Sequence, residues 1–70
     1  MSNREDKIAF YKTRIDVHRR NVDQYEIRIA ELQTGAGHDE QASEIAATHQ
    51  LMDVERREIK KLEALIKQLE

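Results

Sequence analysis

Apolar residues recur along the first half of the chain at spacings that alternate between three and four. Ile8, Tyr11, Ile15, His18, Val22, Tyr25, Ile29 and Leu32 form one unbroken series. Such a repeat lays a single stripe along a helix, with Ile8, Ile15, Val22 and Ile29 at the a position of a heptad and the others at d. The second half runs the same way through Ile45, Thr48, Met52, Glu55, Ile59, Leu62, Ile66 and Leu69. Two segments that share one period predict two long helices whose stripes face each other. Between them lies QTGAGHDEQ, which holds both glycines of the chain. The expected architecture is therefore all-α, an antiparallel two-helix hairpin of coiled-coil type forming one domain over 1–70. It assigns a first helix to about 3–33, a turn to 34–39 and a second helix to about 40–70.

Local signals agree with these boundaries. Ser2 precedes Glu5 by three residues, the spacing of a capping box. Gly35 falls just after the last stripe residue of the first helix, where a left-handed residue commonly ends a helix. Asp39 is placed to cap the second helix, and Glu40 to lie at its positive end. Asp16 with Arg20, Asp53 with Arg57 and Glu63 with Lys67 have the i, i+4 spacing of intrahelical pairs with the acid first.

Folding the chain back at the glycines matches the two stripes layer by layer. Ile29 meets Ile45, Tyr25 meets Thr48, Val22 meets Met52, Ile15 meets Ile59, Tyr11 meets Leu62 and Ile8 meets Ile66. The one wholly polar layer pairs His18 with Glu55. That coincidence of defects favours the antiparallel register. The pair could be a catalytic acid and base or a pH sensor. The simpler reading is a polar layer that fixes register, as single buried polar residues do in coiled coils.

Composition narrows the functional classes. Seventy residues with no cysteine exclude a disulfide framework and thiolate metal sites. No apolar run is long enough to cross a bilayer, and MSNREDK lacks the hydrophobic stretch of a signal peptide. These features predict no membrane association and a cytoplasmic location. A phosphate-binding reading of TGAGHDE needs a preceding strand and a following lysine, whereas His38, Asp39 and Glu40 come next. His49 and Asp53 stand one turn apart, but two ligands make a poor metal site. No catalytic residue, metal or cofactor is nominated, and the expectation is a non-enzymatic protein.

Arg14, Arg19, Arg20 and Arg28 make the first helix locally basic. Asp16, Asp23, Glu26 and Glu31 are interleaved with them, and 12 basic against 14 acidic residues leave a net charge of -2. Without a basic excess, nucleic-acid binding is the second choice.

The residues that the stripes leave over are the most informative. Phe10, Val17 and Ile27 on the first helix, and Ala47, Leu51, Val54 and Leu65 on the second, lie off the seam. A lone hairpin would leave them in water, and apolar clusters on so small a protein mark an interface. Packing two hairpins together would make a four-helix bundle and cover them. The expected role is a protein–protein interaction module working by helix packing, through a homo-oligomer, dimer first, or as an adaptor for a helical protein partner. Because the stripe runs to Leu69 with no cap after it, the chain reads as an N-terminal module of a larger protein. In topology, and in the turn-side DEQA from Asp39 to Ala42, the chain resembles the Rop family of RNA-binding helical hairpins. That resemblance implies the alternative, a small RNA-binding regulator using the basic side of the first helix, and carries no RNA-contact residue across.

Overall fold

The computed structural model describes residues 3–34 and 38–70, without the side chains of 38–40. It contains two helices, α1 (Asn3–Thr34) and α2 (His38–Leu69), packed along their whole length. Each helix has 32 residues, which at 1.5 Å per residue gives arms of about 48 Å. The body measures 55 × 14 × 11 Å, two helices wide and one helix thick. The chain is an all-α helical hairpin.

Both helices run further toward the turn than the sequence signals place them. Thr34 is helical, and α2 begins at His38, so the predicted turn at 34–39 contracts. Asp39 therefore sits inside the first turn of α2 rather than ahead of it. Thr34 also closes its own helix end, because its hydroxyl donates to the Glu31 carbonyl at 2.9 Å. That satisfies one of the carbonyls that the end of a helix leaves free. The roles read for Ser2 and Gly35 fall on residues outside those described. At the far end, the Glu70 amide donates to the Ile66 carbonyl at 3.0 Å and completes the last turn.

A helix that touches one neighbour can bury only a narrow strip, and the burial pattern follows the heptads. Ile15, Ile29, Met52 and Ile66 are buried, all at a positions, with Thr48 at d. Ile8, Tyr11, Val22, Tyr25, Leu32, Ile45, Ile59, Leu62 and Leu69 are half-buried around them. Thr48 is tolerated in the core because its hydroxyl donates to the Glu44 carbonyl at 2.8 Å, which leaves no orphaned polar group. Gln41, one step before Ile45 in the same series, is half-buried as well. Its Oε1 is shielded from solvent with no partner among the described residues.

The intrahelical ion pairs read from i, i+4 spacing are replaced by other partners. Glu63 reaches across to Arg19 at 3.7 Å instead of back to Lys67. Asp53 approaches Arg56 at 3.9 Å rather than Arg57. A cross-helix arginine can straighten toward its acid, whereas exposed pairs of either kind contribute only about 0–1 kcal/mol. The choice between them leaves the fold unaffected.

Truncating the buried seam should be costly and truncating the surface should not. Ile15→Ala and Met52→Ala are each expected to lower stability by about 2–4 kcal/mol, while Lys60→Ala should stay within about 0.5 kcal/mol. Urea denaturation followed by helical circular dichroism measures both.

Candidate interaction surface

The polar layer forms midway along the hairpin. His18 Nδ1 lies 2.5 Å from Glu55 Oε2, with side-chain exposures of 15% and 17%. A carboxylate only accepts, so the contact places the imidazole proton on Nδ1. Asn21 Nδ2 donates to the same oxygen at 3.3 Å. Two donors from α1 thus converge on one acceptor from α2. Asn21 escaped the sequence reading because it lies at a g position, outside the stripe. Its only signal was an amide one turn from a seam histidine. His18 and Asn21 each give a donor to Glu55, so the cluster ties α1 to α2 across the seam.

Further ion pairs show how the edges of the helices are arranged. Arg28 pairs with Glu44, and both are g positions. Arg19 pairs with Glu63, and Glu26 with Arg56 at 3.5 Å, all four being e positions. Edge therefore meets like edge, as antiparallel packing requires. It follows that the hairpin has two unlike broad faces, one bordered by the e positions and one by the g positions.

The e-bordered face is charged over its middle and turn-distal parts. Lys12, Asp16, Arg19 and Glu63 rim a shallow groove over Ile15 and Ile66, and Asp53, Arg56, Arg57 and Lys60 continue the charge along α2. His49 is exposed there too. Among the described residues, no group of three or more histidines and acids is gathered that could hold a metal.

The g-bordered face differs. On α1 it presents Phe10 and Val17 at c positions, and on α2 Leu51 and Leu65 at g and Ala47 and Val54 at c. Phe10, Val17, Leu51, Val54 and Leu65 are between 39% and 61% exposed. Phe10 is steadied against Tyr11, with ring centroids 6.0 Å apart and tilted by 60°. Five of the six large exposed hydrophobic residues thus share one face, with Ala47 among them. Ile27 does not, because its f position points it away from α2, beside Gln24, Arg28 and Glu31.

The basic residues of α1 divide among several directions. Arg19 is engaged on one face, Arg28 on the other, and Arg20 points outward at an f position. They do not form one basic surface.

No family model, curated protein or solved structure matches this chain.

The polar cluster makes a testable statement about coupling. Glu55→Leu alone strands the His18 and Asn21 donors and should cost about 1–2 kcal/mol. His18→Leu combined with Glu55→Leu should recover most of that loss. A double-mutant cycle in urea that shows no coupling would mean the layer contributes nothing to stability.

Proposed function

We propose that this protein is a self-association module that works by packing its g-bordered face against another helical surface, with a homodimeric four-helix bundle as the assembly. The observation that supports this reading is the segregation of the exposed apolar side chains. Scattered surface hydrophobes are normal on any protein. Here five of the six large exposed hydrophobic residues lie on one broad face, while the opposite face is cross-braced by two e-edge ion pairs.

The size of the face suits the role. A surface of 55 × 14 Å is close to the roughly 800 Å² that each partner contributes to a standard interface. Covering it would also convert a hairpin with five buried residues among those described into a bundle with a second core between the hairpins. A small domain with so little interior gains the most from such an addition.

An RNA-binding role draws less support, because two of the four α1 arginines considered for it are held by glutamates of α2 on opposite faces. The non-enzymatic reading draws support from the His18, Asn21 and Glu55 cluster, whose two hydrogen bonds join the helices and which holds no nucleophile.

Sedimentation equilibrium at micromolar concentrations tests the proposal. The chain is expected to run as a helical dimer. Leu51→Glu together with Leu65→Glu should convert it to a monomer, since burying two carboxylates in an apolar interface is prohibitive. Asp53→Ala, on the charged face, should leave the dimer intact. A wild-type monomer across the concentration range would refute the proposal.

A further inference from the structure

We infer that the second copy docks with its two-fold axis parallel to the helices, so that α1 of each hairpin lies on α2 of the other and both turns point the same way. This rests on the self-association reading and goes further, because it fixes which helix meets which. A two-fold face-to-face dimer of hairpins has two solutions. The axis can run along the helices, which stacks α1 on α2 at equal heights. Alternatively it can cross them, which stacks α1 on α1 and α2 on α2 with the turns at opposite ends.

The apolar residues decide against the second. On α1 the face is apolar only in its turn-distal half, at Phe10 and Val17. Its turn-proximal half carries Gln24, Arg28 and Glu31. Stacking α1 on α1 head to tail lays the apolar half over the polar half and sets Phe10 near Arg28. Stacking at equal heights does the reverse. In the antiparallel register anchored by His18 and Glu55, Phe10 stands level with Leu65, and Val17 lies within a turn of Val54. Each apolar residue of α1 then meets one from α2 of the second copy.

Charge gives the same answer independently. The g edge of α1 is basic, with Lys7, Arg14 and Arg28 around Asn21. The g edge of α2 alternates acid and leucine, as Glu44, Leu51, Glu58 and Leu65. Arg14 makes no ion pair among the described residues, and in the equal-height dimer it comes level with Glu58 of the second copy, whose own pair is the intrahelical Lys61 at 3.4 Å. Opposite charges face each other twice, once on each side of the axis. Complementarity of this kind selects register and orientation more than it adds affinity.

Distance labelling separates the two arrangements. The chain is free of cysteine, so Thr34→Cys at the exposed end of α1 accepts a single nitroxide per copy. Turns at the same end predict a label separation on the order of 30 Å, from α1 helices that lie diagonally across a bundle whose neighbours are 8–10 Å apart, plus the label arms. Turns at opposite ends predict about 45 Å, nearly the length of an arm. A dimer with the long distance would overturn this docking and leave self-association standing. A monomer by sedimentation, without dipolar coupling, would remove both. As a second measurement, Arg14→Glu is expected to weaken the dimer about tenfold, and adding Glu58→Arg to restore it. An unchanged dissociation constant for Arg14→Glu would also overturn the inferred docking.

Discussion

Among the described residues the contact between α1 and α2 is the only tertiary interface, and every other feature depends on it. Neither helix has a second neighbour within the hairpin. An isolated helix of this length is marginal in water unless an apolar face is packed. Formation of the helices and their docking are therefore one event, held by a strip two residues wide. Because that strip is antiparallel, g edges lie together on one side and e edges on the other. A one-dimensional pattern of sevens thus becomes a slab with two unlike faces.

The strip's composition also shows how the alignment of the arms is chosen. Aliphatic layers are tolerant, since Ile against Ile differs little from Ile against Leu. A slip of one heptad would keep most apolar residues buried. It would also carry Glu55 away from His18 and Asn21, setting it against Tyr25 or Tyr11 and breaking the bonded trio. The polar layer adds specificity where the apolar layers add cohesion.

Much of this was legible before any coordinates. The alternation of threes and fours locates the seam from Ile8 to Leu32 and from Ile45 to Leu69, and folding the two series together brings His18 to Glu55. What stayed hidden depends on distances that a linear pattern does not contain. Asn21 joins the polar cluster only because the g edge of α1 comes within reach of the α2 seam. Glu63 and Asp53 each had two basic residues within plausible range, and side-chain reach across the gap decides which is taken. Gln41 continues the stripe toward the turn, but a polar residue there gave no apolar signal. Ile27 looked like the other off-seam hydrophobes by composition. Its angular position alone separates it from the face the rest share.

The hairpin's two arms are equal in length, which brings the start of α1 and the end of α2 side by side. A tension applied between those two points would not shear all the layers at once. It would peel them singly, beginning at Ile8 and Ile66 and moving toward the turn, with each layer bearing the full load in its turn. Mechanically the hairpin behaves as a zipper rather than a bolt, and the bonded trio of His18, Asn21 and Glu55 is the tooth on which it would catch.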